Sequence, residues 1–83
     1  MSDNDTYRPI PCAIYDGYEL AIMHRQQLQV VWRDGTSQHH ISKLTPYDLL
    51  TRDGEEFLIA GDESGKTVHI RLDYIESCMP VVE

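Results

Sequence analysis

The chain has 83 residues, enough for one small domain, and 41% of them are hydrophobic, which is too many for a disordered chain. Its net charge of −7 is unevenly placed: residues 1–20 carry −3, residues 21–52 carry +2 and residues 53–83 carry −6. Such a surface repels nucleic-acid phosphates and attracts basic proteins, although acidity also serves simply to keep a small protein soluble.

Nothing in the sequence directs the chain into or across a membrane. No segment approaches the roughly 20 apolar residues of a membrane-spanning helix, and residues 1–6 lack the basic start and apolar run of a signal peptide. We therefore expect a cytoplasmic protein with free thiols at Cys12 and Cys78, a disulfide between them being the alternative. We expect residues 1–83 to form a single domain, with residues 1–8 flexible and residues 79–83 a frayed tail.

The first predicted element is an amphipathic helix over residues 12–24. Pro11 suits its first turn, whereas Gly17 weakens it relative to alanine. Four apolar residues recur at helical spacing: Ile14, Tyr18, Ala21 and Ile22.

After the helix the apolar residues alternate with a period of two, which predicts strands. The first strand covers residues 28–33, with Leu28, Val30 and Trp32 facing one way. Asp34-Gly35 predicts a type I′ hairpin turn, and residues 36–41 form the returning strand.

The second half of the chain predicts further short strands. The Thr-Pro-Tyr-Asp sequence at residues 45–48 favours either a single helical turn or a kink in a long strand. The turn Asp53-Gly54 precedes a strand over residues 56–60, and residues 62–66 form a polar loop.

The last two predicted strands follow this loop. Val68, Ile70 and Leu72 alternate with His69 and Arg71, which is typical of a strand with one buried face. A final strand covers residues 74–78 and ends before Pro80. One helix followed by five short strands predicts a mainly β protein: a five-stranded antiparallel barrel of the Sm-like (SH3-like) type with an N-terminal helix, or alternatively an OB-fold.

Residues that often bind metals or act in catalysis do not occur at useful spacing. His39 and His40 are neighbours on a strand and point to opposite faces, and neither cysteine belongs to a CxxC pair. Glu55 and Glu56 also alternate across a strand. No Gly-rich phosphate loop, nucleophile elbow or HExxH motif is present. We therefore expect a binding protein that is not an enzyme and has no cofactor or metal.

The composition also favours a particular class of partner. Seven Lys and Arg are scattered among fourteen Asp and Glu, and they do not form the basic groove of a nucleic-acid-binding domain. A basic protein surface is therefore the favoured partner. Two alternatives remain for the function. The chain could be a module that binds nucleic acid through a local groove, or an interaction module for a basic protein other than the one that the resemblance described below implies.

Short motifs spread along the chain are shared with a known family. They are Asn4-Asp5-Thr6-Tyr7, Pro9-Ile10, Cys12, Tyr15-Asp16, Glu19-Leu20-Ala21, Asp34-Gly35, Asp48-Leu49 before Arg52, Glu56-Phe57-Leu58, and Ile70-Arg71-Leu72-Asp73 with Ile75. With these motifs the chain resembles the Rof family of Rho-binding antiterminators over about residues 4 to 78. The Arg-Leu-Asp-x-Ile element is also similar to WYL-type Sm-like domains.

This resemblance implies an Sm-like barrel capped by the helix and binding to the hexameric helicase Rho. We also expect a monomer when free, with no direct binding to nucleic acid or to a membrane. A Rof-like protein would cover the primary RNA sites of Rho's N-terminal domain and prevent RNA loading and ring closure. The implied contacts are Tyr15, Asp16 and Glu19, with the turn Arg52-Asp53-Gly54 as a secondary contact. Carboxylates would pair with RNA-binding arginines, and Tyr15 would either stack where a base lies or pack in the core.

Overall fold

The computed structural model describes residues 7–82 and contains one helix and five strands. The helix α1 spans Cys12–His24, and the strands are β1 (Leu28–Arg33), β2 (His39–Arg52), β3 (Glu55–Gly61), β4 (Thr67–Arg71) and β5 (Ile75–Pro80). A short 3-10 helix, Leu72–Tyr74, joins β4 to β5. The prediction of a mainly β protein with an N-terminal helix is confirmed. Residues 1–6, part of the segment predicted to be flexible, lie outside the described residues.

The strands form one antiparallel sheet in the order β4-β3-β2-β1-β5. Hairpins join β1 to β2, β2 to β3 and β3 to β4, whereas β5 follows the 3-10 helix and pairs with β1. Within the described part of the chain, β4 and β5 are the sheet edges, and no hydrogen-bonded ladder closes the sheet between them. The five predicted strands therefore form an antiparallel sheet that is not closed into a barrel by hydrogen bonds between β4 and β5.

The central strand β2 is longer than predicted because it includes residues 45–48. Its first half pairs with β1 and its second half pairs with β3, with a shift of register between Pro46 and Asp48. Proline lacks an N–H and is tolerated in a sheet where the ladder is interrupted. Of the two alternatives for these residues, the kinked strand is confirmed and the single helical turn is wrong.

The turn between β1 and β2 differs from the predicted type I′ turn. The N–H of Asp34 donates to Gln38 O (2.8 Å), the N–H of Ser37 donates to Asp34 O (2.9 Å), and the residue with positive φ is Ser37 (67°), not Gly35. The Asp34 carboxylate accepts hydrogen bonds from the N–H and hydroxyl of Thr36 and from the N–H of Gln38. These side-chain bonds stabilise a longer loop, so that the returning strand starts at residue 39 instead of 36.

The turn between β3 and β4 has the same construction. The N–H of Asp62 donates to Lys66 O (2.9 Å), and its carboxylate accepts from the N–H and hydroxyl of Ser64 and from the N–H of Lys66. Gly65 has the positive φ, 87°. Between β2 and β3, Asp53 and Gly54 both have positive φ, which confirms the predicted tight turn there.

The core lies between α1 and the sheet. The helix contributes Tyr18 and Ala21, whereas Ile14, predicted on its apolar face, is 49% exposed. Pro11 precedes the helix, and its carbonyl accepts hydrogen bonds from the N–H groups of Ile14 and Tyr15. The other buried apolar residues come mainly from the strands: Leu28, Val30, Leu44, Leu58, Ala60, Ile70 and Leu72.

The end of β4 departs from simple alternation. Arg71, predicted on the exposed face, is buried because its guanidinium binds the carboxylate of Asp73 in the following 3-10 helix. Leu72 lies in that helix rather than in the strand. The last strand continues through Pro80, and Val81 N–H donates to Gln27 O (2.9 Å), so the chain is paired at positions where a frayed tail was expected.

Candidate protein-binding site

The three predicted site residues on α1 lie side by side near the start of the helix. Asp16 and Glu19 are exposed, whereas Tyr15 is half-buried and packs against the core. The i, i+3 and i+4 spacing places Glu19 one turn from both Tyr15 and Asp16. The helix therefore presents two carboxylates to solvent beside a ring that is held by packing.

Tyr15 and Asp16 border a small cavity between the start of α1 and β3. The cavity has a volume of about 220 Å³ and is lined by Ile10, Cys12, Tyr15, Asp16 and Glu56. Glu56, near the start of β3, accepts a hydrogen bond from the hydroxyl of Tyr7 (2.7 Å). We call this concavity the acidic cavity, because a second carboxylate from the sheet faces the helix across it.

The electrostatics of the cavity are dominated by negative charge. The pKa of Tyr15 is raised by burial and, further, by the negative charges of Glu56, Glu19 and Asp48. Among the described residues, no cation forms an ion pair with Asp16 or Glu19. These carboxylates are therefore available to the cations of another molecule.

The predicted secondary contact lies close in sequence to Glu56 but outside the acidic cavity. Asp53 and Gly54 form the exposed turn between β2 and β3, and Arg52 is the exposed last residue of β2, opposite Glu55. In the ladder, Thr51 lies opposite Glu56, so one further pair separates Glu56 from the turn. The structure thus brings Tyr15 and Asp16 together with Glu56, and leaves residues 52–54 at the adjoining end of the β2–β3 hairpin.

Sequence reasoning missed Glu56 as part of this site. Glu55 and Glu56 have different partners: Glu55 lies 3.4 Å from the guanidinium of Arg71, and Glu56 accepts a hydrogen bond from the hydroxyl of Tyr7. Alternation separates the two carboxylates, but only the strand register decides which one faces α1. The negative charge of Asp48 also raises the pKa of Tyr15. Asp48 lies at the register shift in β2, in the segment that the sequence predicted to be either a helical turn or a kinked strand.

The histidines and cysteines do not converge on a metal site. His39 Nε2 lies 3.0 Å from Glu76 Oε2, and His40 Nε2 lies 2.7 Å from Asp34 Oδ2, in two separate exposed or half-exposed pairs. Within residues 7–82, no group of three or more His, Cys, Asp or Glu side chains is arranged to hold an ion. The two cysteines are free thiols, as predicted.

Within residues 7–82, neither α1 nor the 3-10 helix has the length and apolar character that a membrane span requires.

Comparison with solved structures shows the fold in another protein. A region of proteasome accessory factor B/C (PafBC) of Arthrobacter aurescens superposes with a TM-score of 0.79 over 95% of this chain and 13% of that chain. The two sequences are 19% identical. At this identity the similarity shows the fold alone.

Comparison with sequences gives the family. Residues 9–83 match the family described as modulator of Rho-dependent transcription termination (ROF). The chain is 38% identical over 74 residues to protein Rof of Escherichia coli (strain K12) and, equally, of Shigella flexneri, covering 89% of this chain and 82% of each relative. This chain therefore belongs to the Rof family of modulators of Rho-dependent transcription termination.

Proposed function

We propose that this protein inhibits Rho-dependent termination by binding the N-terminal RNA-binding domain of Rho. The face of α1 that carries Tyr15, Asp16 and Glu19 makes the main contact, and the turn at residues 52–54 makes a secondary one. By covering the primary RNA sites, the protein prevents RNA from loading onto Rho and the ring from closing. Acting on Rho, it would work in the bacterial cytoplasm.

One observation carries this proposal: Asp16 and Glu19 are exposed carboxylates without an ionic partner among the described residues, in a chain of a Rho-modulating family. Arg and Lys side chains that hold RNA phosphates can form equally good charge-assisted hydrogen bonds with carboxylates. A carboxylate pair that occupies those donors excludes the phosphates. The competition therefore follows from shared donors and needs no direct contact between this protein and RNA.

Glu56 strengthens this interpretation of the helix face. Its carboxylate adds negative charge on the sheet side of the acidic cavity, and the hydrogen bond from Tyr7 fixes its position. A cationic side chain of Rho entering the cavity would meet Asp16 on one side and Glu56 on the other. The role is that of a regulatory binding protein, for which no catalytic step is required.

The test is a competition on purified Rho with a labelled C-rich RNA. Titration with this protein should displace the RNA, and the affinity for Rho should fall as salt rises, because screening acts over a Debye length of roughly 10 Å at 0.1 M salt. A Rho complex that holds RNA and this protein together, without mutual weakening, would contradict the mechanism. Recovery of bare RNA by the protein in the absence of Rho would favour a nucleic-acid-binding module instead.

A further inference from the structure

A second concavity borders α1 on the side away from the acidic cavity. It lies between the helix and strands β1 and β5 and has a volume of about 470 Å³, within the range of roughly 300–1,000 Å³ typical of ligand clefts. None of its lining residues is Lys, Arg, Asp or Glu. We call it the apolar groove; its wall is formed chiefly by Ile14, Gly17, Leu20, Ala21, Leu28 and Cys78.

Neighbouring residues of α1 line the apolar groove and the acidic cavity. Asp16 lines the acidic cavity and Leu20 lines the apolar groove. The two residues are four apart in the helix, so their side chains are neighbours on its surface. A partner that binds Asp16 therefore also reaches the edge of the groove.

Contacts within the described chain do not explain why the groove has exposed apolar side chains and a glycine. Ile14 and Leu20 are 49% and 54% exposed. Gly17 weakens the helix relative to alanine, yet apart from its chain neighbours and the adjacent backbone of α1, no described atom lies within 4 Å of the position that its Cβ would take, and its φ is not in the left-handed range. Neither packing nor backbone conformation requires glycine there, whereas close approach by a partner would.

We propose that an aromatic side chain on the RNA-binding surface of Rho docks in the apolar groove; this rests on the proposed function. Proteins that bind single-stranded RNA combine basic side chains with aromatic rings on which bases stack. The helix offers a complement to both: carboxylates at Asp16 and Glu19, and an apolar groove one turn away. Residues 1–6 of the chain are mostly polar and acidic, and therefore suit the groove poorly.

Two substitutions test the groove without altering charge. Leu20→Gln removes an apolar wall and should weaken Rho binding about tenfold, and Gly17→Leu should weaken it at least as much by filling the space. Because Gly17→Leu also improves helix propensity, the free protein should melt about 4 °C higher, which separates a lost contact from a lost fold. The control is Ile41→Gln: Ile41 is 66% exposed, pairs with Val31 and lies outside the groove, so affinity should change by no more than about twofold.

A methyl NMR spectrum of the complex identifies the occupant. An aromatic ring in the groove should shift the Leu20 methyl resonances upfield on addition of Rho, while the Ile41 methyl resonances stay in place. Binding of Rho with unshifted Leu20 methyls, or equal losses for Leu20→Gln and Ile41→Gln, would overturn the inference. A free protein that dimerises in sedimentation, and becomes monomeric on Leu20→Gln, would assign the groove to a second copy and would also overturn it.

The failure of this inference differs from the failure of the proposed function. If the unmodified protein does not bind Rho, the proposed function is wrong and the groove loses its assigned partner. If Asp16→Arg weakens binding but both groove variants bind normally, the proposed function stands and only the groove is misassigned.

Discussion

The guanidinium of Arg71 and the carboxylate of Asp73 form a two-point contact, with Nε–Oδ1 at 2.6 Å and Nη2–Oδ2 at 2.8 Å. Their side chains are only 8% and 5% exposed. The same carboxylate accepts the N–H of Arg8 (3.0 Å), and the guanidinium lies over the ring of Tyr74, 4.3 Å from its centroid, and 5.7 Å from that of Tyr7. The pair therefore joins the segment before α1 to the junction of β4 and β5.

Removing the Asp73 charge should destabilise the protein strongly. Asp73→Asn removes the negative charge that binds the buried guanidinium of Arg71 at two points, and we expect a loss of about 3 kcal/mol in the free energy of unfolding. Urea denaturation measures this. The control Glu76→Gln breaks the exposed pair with His39 and should cost less than about 1 kcal/mol. Similar losses for both variants would show that burial does not govern the strength of the Arg71–Asp73 pair.

Acid should weaken the fold partly through Asp73. Burial raises the pKa of its carboxyl group, but hydrogen bonds from Arg71 and Arg8 lower it more, so the folded pKa lies below the ordinary value of 3.8. Its contribution is therefore fully present above the unfolded pKa and is lost as pH falls through the folded pKa. The free energy of unfolding should decrease below about pH 4, and Asp73→Asn should show a shallower decrease. Parallel pH profiles for the two proteins would contradict this assignment.

The two related turns allow a matched test of backbone strain. Ser37 and Gly65 occupy equivalent positions with φ of 67° and 87°. Since glycine adopts this conformation without a Cβ clash, Ser37→Gly should stabilise the protein by about 0.5 kcal/mol. The reverse change Gly65→Ser should destabilise it by about 1 kcal/mol. Thermal melts report both, and shifts of the same sign would refute the equivalence of the turns.

Charge reversal on α1 should weaken Rho binding much more than reversal elsewhere. Asp16→Arg places a cation against a basic surface and should reduce affinity at least tenfold, by about 2 kcal/mol or more if the contact is desolvated. Glu63→Arg is the control because Glu63 is exposed in the β3–β4 turn, at the other end of β3 from Glu56. Its neighbour Asp62 is unsuitable, since its carboxylate holds that turn together. Equal losses would mean that overall acidity, not the helix, drives binding.

Chelation should leave the stability unchanged. The potential metal ligands of the described chain do not gather in groups of three, and His39 and His40 are engaged with separate carboxylates. A strong chelator should therefore not shift the melting temperature. A fall of several degrees would reveal a structural ion.

The spacing of the apolar residues predicted the helix and the strands well, but it predicted less well which side chains are buried. The helix bounds and the first strand follow directly from local spacing, because they depend on which side chains face a common core. The buried position of Arg71 depends on Asp73, which supplies a compensating charge in a 3-10 helix that no pattern indicated. The hairpin at Asp34-Gly35 differs because side-chain hydrogen bonds to Asp34 favour a longer loop over the two-residue turn.

The candidate site was predictable only in its helical part. Tyr15, Asp16 and Glu19 share a helix, so their proximity follows from spacing alone. Glu56 joins them through the fold: β3 must pair with β2, and α1 must pack across the sheet, before its carboxylate faces the helix. Such long-range placement leaves no periodic signal in one sequence.

Because β2 is one continuous strand that pairs with both β1 and β3, it affects how the protein unfolds. Leu44 ends the ladder to β1, and Thr45, the next residue, begins the ladder to β3. Because one backbone segment carries both ladders, neither hairpin can slip in register without displacing the other. The sheet should therefore be lost as one cooperative unit, and the amide protons around Leu44 should exchange with solvent only when the whole protein unfolds.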